Sequence, residues 1–248
     1  MVDGVDGSAL DLTLIVLAFN EEKTVGSYVA DCLAFLDTVL GRHEVIVVDD
    51  GSSDATLARA KEAAANDRRV RVFSHGRNLG MGAGMRTGIR YARGQYFVIL
   101  AADGQVRAWE LQKMLPVLRP GGMVSTVYAN RPPSIARTVL STGLRGLFRL
   151  LFRVSFKLEG IYLFPVALAR EEIGLDVIRS ETFFFTFELI TRALQRGVAI
   201  DVVPIDCLPR AEGASKVVTP RRIARVAEEL LKFRLRLWQE GQGPKRSS

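Results

Sequence analysis

The sequence predicts an α/β protein with a Rossmann-like, doubly wound and mostly parallel sheet. In the first hundred residues, short apolar runs alternate with stretches of helical periodicity. This order is typical of βαβ units with right-handed crossovers. Each apolar run is followed by a loop rich in Gly, Asp, Asn or Ser, at the strand ends where open α/β sheets bind their ligands.

Four strands and three helices are predicted in the first half of the chain. The strands are assigned to short apolar runs bounded by polar loops, at 12–17, 44–48, 70–74 and 96–100. The helices follow loops whose polar residues suit helix starts, at about 23–40 and 54–66 and from the Gly-rich loop 80–84 to about 92.

The second half has a less regular pattern. It predicts a helix at 137–157, a strand at 161–167, a helix at 186–196, a strand at 199–205 and a long amphipathic helix at 221–238. The chain has no internal repeat and no low-complexity linker. We therefore expect a single domain over 1–240, with two halves that meet near residue 105, and a disordered tail over 241–248.

Composition excludes several classes of protein. With 248 residues, 48% hydrophobic and 25% charged, the chain is neither fibrous nor disordered nor a disulfide scaffold. Cys32 and Cys207 are far apart among apolar neighbours, which suits reduced core thiols. The longest apolar stretch, 161–169, contains a proline and is far shorter than the ~20 residues of a membrane span. The acidic first residues do not resemble an export signal, so a cytoplasmic protein is expected.

Charge is distributed unevenly along the chain. The formal net charge is +7, yet residues 1–60 carry eleven acids against three bases. Between Glu110 and Glu159 there is no acid, and eight bases lie in that interval. Such a block indicates an anionic partner: a phosphate ester, an anionic membrane surface or a nucleic acid. No nucleic-acid-binding module is recognisable, which disfavours the last.

The stretch 144–157 has the pattern of a basic amphipathic helix. Its bases recur every four residues beside a row of phenylalanines: Arg145, Arg149, Arg153 and Lys157 with Phe148, Phe152 and Phe156. Such a helix can lie in a membrane interface, or it can pack on the core with a solvated basic face. The second basic helix, at 221–238, and the absence of acids favour peripheral membrane contact.

Several polar residues fall at the carboxyl ends of the predicted strands. Asp50 is placed to accept hydrogen bonds from a base or ribose, and Asp49 to do the same or to anchor the turn. A capped turn alone also explains this pair. The segment 80–88 offers backbone amides to a diphosphate at a helix start, although such loops are commonly only tight turns.

Taken together, these motifs resemble family 2 glycosyltransferases of the GT-A fold. The successive strands are followed by A-F-N-E-E, D-D-G-S-S-D, R-N-L-G-M-G-A-G and A-A-D-G-Q. The resemblance covers about residues 12–216 and is nearest to dolichyl-phosphate mannose synthases and related polyprenyl-phosphate glycosyltransferases. It implies that residues 1–105 form a nucleotide-sugar-binding half and 106–240 an acceptor-binding half.

The resemblance also implies roles for individual residues. The donor nucleotide sugar is expected to contact Ala18, Phe19, Asn20, Glu22, Asp49, Asp50, Arg77, Gly80, Ala102 and Asp103. Asp103 and Gln105 would hold a divalent metal, Mg²⁺ or Mn²⁺. The R-x-x-G-x-S-K segment places Arg210 and Lys216 at the donor diphosphate or the acceptor phosphate. The acceptor phosphate is further expected to contact Arg131, Arg137 and Ser215, and Glu188 to supply an acid near the acceptor.

One position departs from the family pattern. The metal motif of the family is D-x-D, whereas this chain has Ala101 in place of the first acid. The donor's phosphates and water can complete the oxygen shell of a metal held by one protein carboxylate. We therefore expect a metal, bound more weakly.

The expected function is an inverting transfer of a hexose from GDP-mannose or a UDP-sugar to a polyprenyl-phosphate at the cytoplasmic membrane surface. Two alternatives stay open: a glycosyltransferase with a soluble acceptor in cell-wall or natural-product biosynthesis, and a noncatalytic nucleotide-sugar-binding protein on a decayed scaffold. A nucleotidyltransferase is disfavoured, because the first strand is followed by 18–21, A-F-N-E, and not by a G-x-G-x-R loop.

Overall fold

The fold is built on one seven-stranded mixed sheet. The computed structural model describes residues 11–130, 146, 151–152, 159–208 and 220–240, without the side chains of 159 and 220–226. The strands are β1 (Leu12–Ala18), β2 (His43–Asp49), β3 (Val70–Ser74), β4 (Tyr96–Ala101), β5 (Met123–Tyr128), β6 (Glu159–Pro165) and β7 (Ile200–Ile205). They run in the order β3-β2-β1-β4-β6-β5-β7.

Only β6 runs against its neighbours, because it pairs antiparallel with both β4 and β5. The pairs β1–β2, β1–β4, β2–β3 and β5–β7 are all parallel. The sheet is therefore mostly parallel, as the sequence predicts. Strand β5 was not predicted, since its sequence M-V-S-T-V-Y contains buried Ser and Thr and lacks the continuous apolar run of the other central strands.

Helices cover both faces of the sheet. They are α1 (Val25–Leu36), α2 (Thr56–Asn66), α3 (Met81–Tyr91), α4 (Phe184–Gln195) and α5 (Pro220–Gln239), with short 3₁₀ helices at Ala108–Lys113 and Leu115–Val117 and a π-helix at Leu168–Gly174. Side chains of β1 alternate between the faces. Leu14 and Val16 join the core under α1, and Ile15 joins the core under α3 and α4.

Helix α5 packs on α4, outside the sheet layers. Leu230, Phe233 and Leu237 of α5 meet Phe184 and Phe187 of α4 in a small apolar cluster, which Phe152 completes. Of the predicted helix 137–157 the structure describes only three residues, at 146, 151 and 152, and these are helical. The predicted tail 241–248 lies outside the described residues. In the described part of the chain, no helix is long and apolar enough to cross a membrane.

The two cysteines differ from each other in burial. Cys32 is fully buried under β1, as predicted for a core thiol, and burial raises the pKa of its thiol above the ordinary range. Cys207 is only half-buried, because it lies in the loop after β7 and not in a core element. The prediction that it is a core thiol was wrong.

Candidate functional site

The predicted strand-end residues lie along one edge of the sheet. In the register of the parallel strands, Ala18 is opposite Asp49, and Asp49 is opposite Ser74. Ala101 is opposite Leu17 on the other side of β1. Because parallel strands end on the same side, the loops after β1, β2, β3 and β4 surround a common space.

The loop after β1 is bound to the loop after β2 by its polar side chains. Asn20 has a positive φ of 55°, and its Oδ1 accepts a hydrogen bond from the Ser53 N–H at 2.9 Å. The Asn20 N–H donates to Ser52 Oγ at 2.9 Å, and a Glu22 carboxylate oxygen accepts from the Ala55 N–H at 2.9 Å. These contacts shape the loops. Phe19 beside them is exposed, and Ala18 is buried.

The carboxylates of Asp49 and Asp50 are both hydrogen-bonded within the fold. Asp49 accepts from the Ser52 N–H at 3.2 Å and from Ser74 Oγ at 2.8 Å. Asp50 accepts from the N–H groups of Leu79 and Gly80, each at 2.9 Å. Buried carboxylates need such donors, so the interpretation as an internally bonded turn accounts for both. That either one contacts a nucleotide stays a prediction.

His75 lies at the candidate site but was not predicted from the sequence as a site residue. Its Nδ1 lies 2.7 Å from Asp50 Oδ1, and its Nε2 lies 3.0 Å from Thr87 Oγ1. It thus links the loop after β2 to the second half of α3. The sequence signal for His75 is its position directly after β3, which corresponds to the position of Asp50 directly after β2.

Backbone amides of the Gly-rich segment bind other parts of the protein, which differs from the expected binding of a diphosphate. Gly51 has φ +73°, and a Cβ on it would lie 2.3 Å from the Arg77 carbonyl carbon, so the loops after β2 and β3 touch through backbone. At the start of α3, the Gly82 N–H donates to the Glu181 carbonyl at 2.8 Å. With the Leu79 and Gly80 amides bonded to Asp50, the expectation of several open amides for a diphosphate was wrong. Arg77 is exposed beside them.

The turn after β4 carries the candidate metal ligands. Ala101 is exposed, Ala102 is buried, and the Gln105 N–H donates to Asp103 Oδ1 at 3.1 Å. Tyr28 fastens the turn by donating its hydroxyl proton to the Val106 carbonyl. Burial, with the charges of Cys32 and Asp103 as smaller causes, raises the pKa of Tyr28 well above its usual value.

The oxygen donors of this turn fit a divalent metal shared with a ligand. The carboxylate of Asp103 and the side-chain amide oxygen of Gln105 are hard donors of the kind Mg²⁺ and Mn²⁺ prefer. Among the described residues no three His, Cys, Asp or Glu side chains come together as a metal cage. Asp103 and Gln105 would supply two of the ligands, and a diphosphate and water can complete the oxygen shell.

The ends of β5 and β7 bring the second half of the chain to the same edge. The Ala129 N–H donates to the Ile205 carbonyl at 2.9 Å, and the Cys207 N–H donates to Asn130 Oδ1 at 2.8 Å. The Leu208 N–H then donates to the Gln105 carbonyl at 2.7 Å. The segments that begin after residues 130 and 208 therefore both start beside the D-G-Q turn.

Five predicted site residues belong to those two segments and lie outside the described residues: Arg131, Arg137, Arg210, Ser215 and Lys216. What the structure does establish is the chain path on either side of them. Asn130 and Leu208 are held within hydrogen-bonding distance of Cys207 and Gln105, respectively. The described residues that flank these segments, Asn130 and Leu208, thus lie close to the D-G-Q turn.

Glu188 has surroundings that differ from those expected of a residue facing an acceptor. It lies in the middle of α4 and is 0% exposed. One carboxylate oxygen accepts from Ser180 Oγ at 2.8 Å and from Arg236 Nη2 at 2.9 Å. The other lies 3.3 Å from Arg192 Nη2. These contacts make Glu188 part of the α4–α5 interface, and its assignment as a catalytic residue stays a prediction that they do not favour.

Comparison with known proteins adds a family match and named relatives. The family model described as Glycosyl transferase family 2 matches residues 13–173. The dolichyl-phosphate beta-glucosyltransferase of Drosophila melanogaster is 37% identical over 123 residues, 46% of this chain and 37% of that protein. The dodecaprenyl-phosphate galacturonate synthase of Rhizobium johnstonii is 36% identical over 111 residues, 44% of this chain and 33% of that protein. The chain thus spans little more than a third of the length of these relatives.

Solved structures with the same fold include a glucosyl-3-phosphoglycerate synthase from Mycobacterium tuberculosis. Its complex with Mn²⁺, UDP-glucose and phosphoglyceric acid superposes with a TM-score of 0.66 at 20% identity, covering 91% of this chain and 80% of that chain. A complex of that enzyme with Mg²⁺ and UDP gives a TM-score of 0.65. This likeness establishes a GT-A fold, as the sequence predicts.

Proposed function

The chain belongs to glycosyl transferase family 2, and we propose on this basis that it transfers a hexose from a nucleotide-diphosphate sugar to a polyprenyl-phosphate. The observation that carries the proposal is the convergence at the D-G-Q turn. Gln105 is hydrogen-bonded to Leu208, at the start of the segment with Arg210 and Lys216. A donor at Asp103 would then have basic residues within reach of its diphosphate.

The nucleotide of the donor would lie across the carboxyl ends of β1 and β2. Phe19 is the exposed apolar side chain there and suits stacking or edge contact with a base. Asn20 and Glu22 hold the wall of this space through the Ser53 and Ala55 amides. Asp49 and Asp50 would lie at the bottom of this nucleotide space, and Arg77 and Gly80 at its side towards α3.

The diphosphate would lie between the D-G-Q turn and the loop that contains Arg77. Bound there, a divalent metal held by Asp103 and Gln105 would supply positive charge to the departing nucleoside diphosphate. The metals named for the solved neighbours are Mn²⁺ and Mg²⁺. Arg77, Arg210 and Lys216 would neutralise further charge on the same leaving group.

The reaction would be an in-line displacement with inversion. An acceptor phosphate oxygen forms the bond to the anomeric carbon, and the bond from that carbon to the donor's diphosphate breaks. A phosphate monoester is already ionised near neutral pH, so positioning replaces a general base. Arg131, Arg137 and Ser215 would orient the acceptor. This chemistry needs no buried acid, which agrees with the interior position of Glu188.

Two relatives whose names specify a polyprenyl-phosphate support the lipid acceptor, as does the acid-free interval 111–158. Such an acceptor is held in a bilayer, so the protein would work at the cytoplasmic membrane surface. A soluble phosphorylated acceptor is the second candidate, favoured by the phosphoglyceric acid named for the solved neighbour. Either acceptor presents a phosphate or carboxylate to the same basic segments.

A calorimetric titration with UDP, GDP, UDP-glucose and GDP-mannose, each with and without Mn²⁺, tests the donor site. We expect metal-dependent binding of one base, and at least about a tenfold loss of affinity in Asp103→Asn, because a charge-assisted ligand is removed. Asp176→Asn is the matched control, since the Asp176 side chain is 94% exposed and pairs only loosely with Arg90. Absence of binding for all four compounds would refute the proposal.

Transfer assays then separate the acceptors. Product with a polyprenyl-phosphate and none with phosphoglycerate supports the first proposal, and the reverse result supports the second. Donor binding without transfer to either would favour the noncatalytic alternative. Ala101→Asp tests the noncatalytic alternative further, because a gain in turnover from the added carboxylate would indicate that the native site has decayed.

A further inference from the structure

Helix α5 carries a second apolar face that points away from the protein. Its buried face, with Phe233 at the centre, packs on α4. On the opposite side Leu231, Leu235 and Trp238 are 61%, 54% and 70% exposed. Spacings of four and three residues align these side chains into one stripe along the helix. We call Leu231, Leu235 and Trp238 the α5 stripe.

Positive charge accompanies the α5 stripe. Residues 220–240 contain six bases and three acids, and Lys232 and Arg234 lie on either side of the stripe by helical geometry. Each acid is already engaged. Glu228 pairs with Lys232 at 2.6 Å, Glu229 accepts from the Glu181 N–H at 3.0 Å, and Glu240 pairs with Arg192 at 2.9 Å. Because the bases outnumber the acids by three, the helix carries a net positive charge.

The helix is fixed in its orientation by contacts on its inner side. Glu229 binds the segment before α4 through the Glu181 N–H and Thr182 Oγ1. Arg236 binds Glu188 at 2.9 Å. The outward direction of the stripe thus follows from the fold and is not a matter of free rotation.

We propose that the α5 stripe is a seat for an anionic membrane surface. Leucine and tryptophan insert at the boundary of headgroups and acyl chains, and flanking Lys and Arg contact lipid phosphates. Charge complementarity selects this occupant, because a cationic helix repels a second copy of itself and attracts an anionic bilayer. This inference deepens the proposed function and rests on that function only for the biological purpose of membrane binding. Binding through the α5 stripe would hold the protein where a polyprenyl-phosphate resides.

The seat is coupled to the donor site through a short path. Glu229 holds the Glu181 N–H, and the Glu181 carbonyl accepts the Gly82 N–H at the start of α3. A bilayer on the outer side of α5 would therefore have a defined position relative to the Gly-rich loop. Two hydrogen bonds through Glu181 thus connect the seat to the start of α3.

Vesicle flotation at low salt tests the proposal directly. We expect the full chain to float with phosphatidylcholine vesicles containing phosphatidylglycerol, and to bind pure phosphatidylcholine much more weakly. Changing the stripe to glutamine (Leu231→Gln, Leu235→Gln, Trp238→Gln) should weaken binding about tenfold or more, because the inserted apolar area is lost. The matched control changes three exposed apolar residues elsewhere: Leu40→Gln, Val117→Gln and Val177→Gln.

Tryptophan fluorescence provides a second, independent readout. The chain has two tryptophans, and Trp109 packs on Phe35 under the sheet. In Trp109→Phe the remaining Trp238 should shift to shorter wavelength when anionic vesicles are added. An unchanged spectrum would contradict insertion of the stripe.

The outcomes separate this inference from the proposed function. Wild-type protein that does not float, or a stripe variant that floats as well as wild type, would overturn the seat while leaving donor binding intact. Flotation that depends on the stripe, in a protein that binds no donor, would sustain the seat and refute the proposed function. A dimer that dissociates in the stripe variant, without vesicle binding, would assign the stripe to a second copy and overturn the proposal.

Discussion

Asp54 joins the loop after β2 to the loop after β1. One carboxylate oxygen accepts from the Thr56 N–H at 3.0 Å, and the other accepts from the Glu22 N–H at 3.2 Å. Although burial opposes it, hydrogen bonds from Thr56 and Glu22 hold the pKa of Asp54 below its ordinary value. The ionised form is therefore the one that stabilises the fold.

The pH dependence of Asp54 follows from that direction. A carboxyl with a depressed folded-state pKa contributes stability above its unfolded value of 3.8, and the contribution is lost as the pH falls through the lower folded value. We expect Asp54→Ala to lower the free energy of unfolding by about 1 kcal/mol at pH 7. Urea unfolding from pH 7 to pH 3 should show this difference shrinking. A constant difference, or an equal loss in Asp176→Ala, would contradict the assignment.

At the scale of elements, helix α3 lies unusually close to the segment before α4. A Cβ on Gly82 would lie 2.5 Å from the Ser180 carbonyl oxygen, whereas a Cβ on Gly26 in α1 would meet nothing within 4 Å. Arg86 of α3 adds a hydrogen bond to the Ile178 carbonyl at 2.6 Å. The approach depends on glycine at position 82.

The two glycines are therefore expected to respond oppositely to alanine. In a helix, Gly→Ala usually stabilises by about 0.5–1 kcal/mol, and we expect that gain for Gly26→Ala. Gly82→Ala should instead destabilise by about 2 kcal/mol, since helix and segment must move apart, and should weaken donor binding. Denaturant unfolding of the pair measures this. Equal stabilisation by both changes would show that the approach is not tight.

At the scale of the whole molecule, a charge network that is buried at Glu188 and Arg192 holds α5 on the sheet domain. Glu188 and Arg192 lie on α4, Arg236 and Glu240 lie at the end of α5, and all four are linked by side-chain contacts. Removing one member of such a network leaves buried charges without partners. The network therefore decides whether α5 stays in place.

Glu188→Gln distinguishes the structural role from the catalytic one. The contacts predict a loss of about 3 kcal/mol in unfolding free energy, with turnover per folded molecule nearly unchanged. A catalytic acid would give the reverse: wild-type stability and a large fall in kcat. Thermal unfolding beside a transfer assay at low temperature decides between them. Glu171→Gln, an exposed acid paired with Arg170, serves as the control.

Much of this protein is determined by local sequence. Alternating apolar and helical periods are sufficient for the βαβ order, and the polar residues after each run had to meet at one edge because parallel strands end together. Asp103 and Gln105 were placed in this way. Strand β5 and the antiparallel pairing of β6 were not, because β5 lacks a continuous apolar run and pairing across the sheet depends on long-range contacts that no local pattern encodes.

Tertiary structure alone decided what the polar groups do. The sequence contains Asp50, Asn20 and Glu188 as hydrogen-bonding residues, but each has a partner that is 30 or more residues away in the chain. A carboxylate at a strand end serves a ligand or the fold according to which donors the folded chain brings to it. The same holds for α5: its sequence determines two apolar faces, and only its packing on α4 decides which of them is buried and which is left outward.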